Sequence, residues 1–305
     1  MRILCFIDSL GSGGAQRQLT QLGVGFKMSG HEVEFLVYHK EDFYRETLIE
    51  NDIPINEIIC NGYFGRVLSI RSFIRKGKYD LVLSFLEGVS LIATVVGFPK
   101  RRWKLIVGER NANPKILNSV KLRFYRWMHL FVDKIVSNSH SNIEMIHKIN
   151  PYVKNKSSVI NNIVDFSKFN VLENFKYRQN GRTRILVAAT QVYRKNALGL
   201  VIALAAMSPK KRSKLDIVWF GERIEEPYFD KSFSEVEAMI SKHNLQDSIR
   251  FEDSTPKIHE YMMTVDAVAL FSFYEGQPNT IIEGMSCGKP VICSNVSDIP
   301  TLLNH

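Results

Sequence analysis

Residues 3–38, ILCFIDSLGSGGAQRQLTQLGVGFKMSGHEVEFLVY, decide the fold class. An apolar run, Ile3–Ile7, enters a glycine-rich loop from Asp8 to Gly14. An amphipathic stretch, Ala15–Met28, and a second apolar run, Val33–Tyr38, follow. A short β-rich run, a longer helical stretch and another β-rich run form the unit of a parallel sheet with crossover helices.

The same alternation continues outward. Strands are expected at Leu81–Phe85, Leu105–Val107, Ile135–Ser137 and Ser158–Asn161, with helices at Val67–Lys76, Val89–Val96, Ile116–Phe131 and Asn142–Ile149. Asn150-Pro151 breaks the last of these helices. The segment Glu173–Arg182 is polar and without apolar periodicity, which marks it as a linker. After it the pattern restarts. Strands are expected at Ile185–Ala189, Asp216–Phe220, Ile249–Phe251, Ala267–Phe271 and Val291–Ser294, and helices at Leu198–Met207, Glu235–His243, Ile258–Met263 and Thr280–Cys287. The reading is an α/β protein of two domains, 1–166 and 167–305. The chain stops one short helix after its last strand, so the second domain is expected to be truncated at its C-terminal end.

At 305 residues the chain is long enough for two cores. Hydrophobic residues make up 45% and charged residues 23%, the balance of an ordinary globular protein. Met1-Arg2 leads straight into a strand, with no signal-peptide pattern. The most apolar stretch, Leu81 to Phe98, is interrupted by Glu87-Gly88 and reads as a strand followed by a buried helix, since a span needs about 20 mostly apolar residues. Cys5, Cys60, Cys287 and Cys293 form no CxxC pair, which suits buried thiols in a reducing compartment and a cytoplasmic location. The histidines make no HxxxH or HxH spacing, so no metal site is expected.

The net charge of +9 is uneven: residues 1–165 hold 23 Lys and Arg against 15 Asp and Glu, while residues 166–305 hold 17 against 16. An excess confined to one half points to an acidic surface as partner. Lys and Arg interleave with aromatics in Pro99–Lys104, Arg71–Lys78 and Lys121–Phe131, which suits docking on an anionic membrane surface. Nucleic acid is the less favoured partner, because no nucleic-acid motif accompanies these segments. A solvated face with its aromatics turned to the core explains them as well.

Two segments carry candidate chemistry. In the loop Asp8–Gly14, Gly13 and Gly14 would let the backbone approach a phosphate at a helix N-terminus, or simply make a tight turn. The spacing is not GxGxxG, and the next strand ends Tyr38-His39-Lys40 rather than in the acidic residue of a dinucleotide fingerprint. This disfavours a nicotinamide dehydrogenase. The stronger segment is residues 273–290, FYEGQPNTIIEGMSCGKP. Gly288 and Pro290 end a helix that begins near Asn279, which leaves Glu275, Gly276, Gln277 and Pro278 at its positive end and puts Glu283 on its first turns. The two carboxylates, eight residues apart, can reach opposite ends of a bound ligand such as a nucleotide sugar. A plain helix cap with one exposed glutamate has the same spacing.

The run EGQPNTIIEGMSCGKPVICSNVSDIP resembles the carboxy-half signature of glycosyltransferase family 4. Gly13-Gly14-Ala15, residues 136–139, residues 159–165, Arg194-Lys195-Asn196 and residues 219–221, ending in Gly221, resemble further family segments in the family's order. The resemblance implies two Rossmann-like domains facing across a cleft, the GT-B type, and metal-independent transfer with retention of anomeric configuration. Carried over, Glu275 would face the sugar, Glu283 the ribose, Lys195 the diphosphate, and Gly14 the phosphate from the other domain. Gly221, Gly276, Gln277, Pro278 and Asn279 would complete the donor site. The family's usual arginine is replaced by Ala189 or Thr190, and Arg194 is the candidate to supply its charge. Where many members carry a histidine, this chain has Glu109, Arg110 and Asn111, which would serve catalysis and hold acceptor or sugar hydroxyls, or else form a salt-bridged loop. The expected donor is a nucleotide sugar, which is a substrate, so no cofactor is implied. The expected acceptor is a glycan or polyprenyl-linked glycan, as in cell-surface polysaccharide assembly at the cytoplasmic membrane face. The competing reading is a truncated, inactive relative that only binds a nucleotide or a partner.

Overall fold

The computed structural model describes residues 1–176, 181–223 and 231–303, which form two compact units, Met1–Ile163 and a second from Val164 onward. Residues 177–180 of the expected linker, and the last two residues, lie outside the described residues.

The first unit holds a seven-stranded parallel sheet in the order β3-β2-β1-β4-β5-β6-β7. Its elements are β1 (Arg2–Phe6), α1 (Gly14–Met28), β2 (Glu32–Val37), α2 (Arg45–Glu50), β3 (Ile55–Glu57), α3 (Tyr63–Lys76), β4 (Leu81–Phe85), α4 (Glu87–Val96), β5 (Lys104–Glu109), α5 (Val120–Trp127), β6 (Lys134–Ser137), α6 (His140–Ile149) and β7 (Ser157–Val159). Alternation along each strand builds two cores, one on each face of the sheet. Leu4, Phe6, Leu36, Val82, Leu105 and Val107 fill one. Ile3, Cys5, Val33, Phe35, Leu83 and Phe85 fill the other. The stretch Leu81–Phe98 is the expected strand and helix, and no described helix is long and apolar enough to cross a membrane.

The helix expected over Ile116–Phe131 is interrupted. Pro114–Leu117 is a 3-10 turn, and Ser119 accepts the Leu122 amide at 3.4 Å to start α5 afresh. A further 3-10 turn, Met128–Phe131, closes the segment. A serine side chain that can take the place of a backbone carbonyl favours a new helix start over continuation.

The second unit is a five-stranded parallel sheet, β10-β9-β8-β11-β12. It comprises β8 (Thr183–Ala188), α7 (Ala197–Ala206), α8 (Pro209–Arg212), β9 (Leu215–Phe220), α9 (Lys231–Lys242), β10 (Ile249–Glu252), α10 (Ile258–Thr264), β11 (Ala267–Leu270), α11 (Asn279–Ser286), β12 (Val291–Cys293) and α12 (Ile299–Leu302). Ile185, Val187, Ile217 and Trp219 face one core, and Leu186, Val268, Met262 and Cys287 the other. Helix α11 lies so close to β11 that a Cβ at Gly284 would sit 3.0 Å from Val268. Gly288 ends that helix in the left-handed region at φ 66°.

Candidate active site

In the second unit the turn after β8 and the loop after β11 meet at their backbones, where the Phe273 amide donates to the Arg194 carbonyl at 2.9 Å. Asn196 joins the same two segments. It sits in the left-handed region at φ 60°, its Oδ1 caps α7 by accepting the Gly199 amide at 3.1 Å, and its Nδ2 donates to the Phe271 carbonyl at 3.2 Å. Asparagine tolerates that conformation better than most side chains.

These tied loops bring Arg194, Lys195 and Glu275 together. Glu275 is 6% exposed. Its Oε1 accepts from Lys195 Nζ and, at 2.5 Å, from Ser272 Oγ, while Arg194 Nη1 stands 3.8 Å from Oε2. The Glu275 amide donates to Ser297 Oγ at 3.1 Å. Burial alone would raise the Glu275 carboxyl, but Lys195 and Arg194 outweigh it and hold the group below the usual carboxylate range. Burial pushes the Lys195 ammonium down, against the pull of Glu275. The outcome is an anchored carboxylate with two cations at the carboxyl end of a parallel sheet, where open α/β folds place ligands. Ser272 and Ser297 were not singled out from the sequence, and Asn196 was named only within the resembling segment Arg194-Lys195-Asn196. Their short polar side chains follow strand and helix ends, and that pattern is too common to distinguish them.

Gly276, Gln277 and Pro278 are buried and lead into α11, whose first residue is Asn279. Glu283 is 1% exposed on the same helix. At Gly221, just past β9, a Cβ would meet the Ala189 carbonyl oxygen at 1.9 Å. That oxygen accepts from the Trp219 indole at 2.7 Å, and Gln191 Nε2 donates to the Gly221 carbonyl at 2.6 Å. The backbone at Ala189, one of the two positions of the expected arginine, is therefore closed against β9, and Arg194 brings its charge in from the next turn.

In the first unit Gly13 precedes α1 in extended backbone, φ −68° and ψ 155°, and Gly14 opens the helix. No acidic residue sits in the first turn. Glu109 ends β5 and is 5% exposed. Its Oε2 accepts from Arg126 Nη2 at 2.9 Å and its Oε1 pairs with His129 Nε2 at 2.7 Å, while Arg126 also reaches Glu87 at 2.6 Å. Burial works against the Glu109 charge, but Arg126 and His129 pull its carboxyl down to about 2. Of the two readings open at the sequence, Glu109 takes the salt-bridged one: both its oxygens hold protein partners. Arg110 and Asn111 are half-buried beside it.

Two Rossmann-like units, each a parallel sheet with helices on both faces, define the GT-B class. The chain matches the family described as Glycosyltransferase Family 4 over residues 12–168, and Glycosyl transferases group 1 over residues 182–305. It belongs to glycosyltransferase family 4. Among its relatives is an uncharacterized glycosyltransferase of Methanocaldococcus jannaschii, 22% identical over 77% of this chain and 60% of the relative, so the chain spans less than two thirds of that protein. Another is the N-acetylgalactosamine-N,N'-diacetylbacillosaminyl-diphospho-undecaprenol 4-alpha-N-acetylgalactosaminyltransferase of Campylobacter jejuni, 22% identical over 95% of this chain and 80% of the relative. Among solved structures, Anabaena HepE in complex with UDP-glucose matches with a TM-score of 0.85 at 18% identity, covering 100% of this chain and 83% of that one.

Proposed function

We propose that this chain transfers a sugar from a nucleoside-diphosphate donor to a lipid-linked glycan, without a metal and with retention of anomeric configuration. The observation that carries the reading is the buried Lys195–Glu275 pair with Arg194 beside it. Cleavage of a donor's sugar–phosphate bond leaves negative charge on the departing diphosphate. Lys195 and Arg194 offer fixed positive charge for it, in a water-poor site where such charge acts most strongly. Glu275 is held as an anion by Lys195 and Ser272, so it serves to orient those cations and the sugar rather than to attack carbon. Retention then follows from attack on the face the leaving group vacates. Glu283, on α11, is assigned to the ribose hydroxyls, and Gly13 and Gly14 to a phosphate at the N-terminus of α1. The lipid-linked acceptor is drawn from the Campylobacter relative, whose name specifies a diphospho-undecaprenol substrate.

The first unit also offers a membrane-facing surface. Val120, Phe124, Trp127 and Phe131 are exposed, and the Phe98–Phe131 and Trp127–Tyr152 ring pairs extend the patch. Arg126 turns inward, but Lys121 and Arg123 stay exposed, so cations and aromatics share the outer face and the aromatics are not turned to the core. Aromatic rings beside Lys121 and Arg123 suit the interface of an anionic leaflet.

The test is a panel of nucleotide sugars incubated with the protein, membrane extract and EDTA, followed by assay of free nucleoside diphosphate and NMR of the new anomeric proton. Release that survives EDTA, with the donor's anomeric configuration kept, is expected. Loss of all release in EDTA, or an inverted product, overturns the corresponding part of the proposal.

A further inference from the structure

The donor chemistry of the second unit leaves one cation of the first unit unexplained. Arg110 directly follows β5. Its guanidinium carbon lies 4.1 Å from the centroid of the Phe85 ring, and its Nη1 donates to Asn162 Oδ1 at 3.2 Å. Its Nε is buried without a hydrogen-bond partner. No carboxylate pairs with it among the described residues, and burial, with nothing to offset it, lowers Arg110 to about 10. The adjacent carboxylate, Glu109, has both oxygens engaged by Arg126 and His129. A charge removed from water without a counter-ion is costly, and proteins keep such charges where a ligand supplies the missing partner.

The surroundings are built for close approach. At Gly108 a Cβ would lie 2.3 Å from the Phe85 ring, so the glycine lets that ring rest against β5 and carry the guanidinium. Asn138, just past β6 and 4% exposed, donates its Nδ2 to the same Asn162 Oδ1 at 3.2 Å. Asn138 Oδ1 and Asn111 Oδ1 are both buried acceptors with no donor among the described residues. Asn162 ties Arg110 to Asn138, so one cation without an anion and one amide oxygen without a donor among the described residues meet at the carboxyl ends of β5 and β6, with Asn111 next in the chain to Arg110, at the ligand-binding edge of a parallel sheet.

A sugar phosphate satisfies both deficits, since its phosphate takes the guanidinium fork and its hydroxyls donate to amide oxygens. We propose that Arg110, with Asn111 and Asn138, forms a subsite for a phosphorylated sugar, the phosphate seated on Arg110. This rests on the glycosyltransferase reading, in which such a ligand is the diphosphate-linked sugar of the acceptor. A donor's diphosphate offers the same anionic chemistry, and the test separates the two sources.

The whole chain and its Arg110→Met variant are titrated by calorimetry with a sugar 1-phosphate, with the methyl glycoside of the same sugar, and with UDP. The variant is expected to bind the sugar 1-phosphate at least ten-fold more weakly, to bind the glycoside and UDP as wild type does, and to melt no lower, because the lost Asn162 bond is offset by removal of a partly buried charge with no carboxylate partner among the described residues. Arg110→Lys, which keeps the charge but not the fork, is expected to fall between the two. Unchanged affinity for the sugar 1-phosphate overturns the subsite. A loss confined to UDP moves the anion to the donor and overturns it too, and a lower melting temperature with every ligand weakened makes Arg110 a structural cation. These readings need no turnover, so failure of sugar transfer with every donor would sink the enzymatic reading and leave this result standing.

Discussion

Both units bury a glutamate beside cations after a strand of a parallel sheet, and the two clusters differ in what surrounds them. Glu109 is the last residue of β5, and its partners Arg126 and His129 come from α5 and the following 3-10 turn. The Arg126 side chain is 0% exposed and is shared with Glu87. Glu275 lies in a loop, its partners come from another loop, and the Arg194 side chain is 29% exposed at 3.8 Å. The first cluster is closed: both oxygens of Glu109 hold protein partners. The second is loosely held on one side, and there a ligand's charge can compete for a cation. The same residue types therefore build a closed strut in one unit and, under the proposed function, a site in the other, and what separates them is access to the cation.

The comparison breaks most sharply at Arg126. Arg126→Met leaves the buried Glu109 carboxylate without its main cation and the part-exposed Glu87 without this partner, and a loss of about 3 kcal/mol is expected in chemical denaturation. A loss below about 1 kcal/mol would make the cluster incidental. Acid probes the same strut from the other side. The Glu109 carboxyl is depressed from 4.5 to about 2 in the folded state, so its stabilisation is complete above pH 4.5 and is lost as pH falls through 2. That shift corresponds to about 3 kcal/mol, and Glu109→Gln should flatten this part of the stability–pH curve. Glu275 is depressed as well, so the second unit follows the same sign.

Gly221→Ala tests the closure behind the site. With a Cβ aimed at the Ala189 carbonyl at 1.9 Å, the loops after β8 and β9 must separate, at a cost of about 1–3 kcal/mol measured as a lowered denaturation midpoint. Asn196→Ala removes the α7 cap and the tie to Phe271, and about 1 kcal/mol is expected. A larger drop in activity than in stability for this variant would show that the tie matters for aligning Lys195 with Glu275.

Much of this was legible in the sequence. The β–α alternation located both sheets, because apolar runs bounded by glycines and polar loops carry a strong period. The short edge elements α2 and β3 were not read, since three half-exposed residues, Ile55–Glu57, make no run. The break in Ile116–Phe131 was missed for another reason: the apolar spacing passes over Ser119, and only the cap geometry reveals a new start. The family resemblance brought Lys195, Arg194 and Glu275 to attention, and the fold sets the three side by side although 80 residues separate Lys195 from Glu275. The partners of Glu109 were not legible, because Arg126 lies among exposed aromatics and reads as one more surface cation.

The central claim is that the Lys195–Glu275 cluster performs sugar transfer. The most direct measurement is nucleoside diphosphate release by wild type and Glu275→Gln, with the donor that the panel identifies and membrane extract as acceptor source. The amide keeps the size of the side chain but not the charge that orients Lys195. Release is predicted to fall by about 100-fold or more in protein that is still folded at the assay temperature, with the denaturation midpoint lowered because Lys195 loses its anion. Equal release by the two proteins would contradict it.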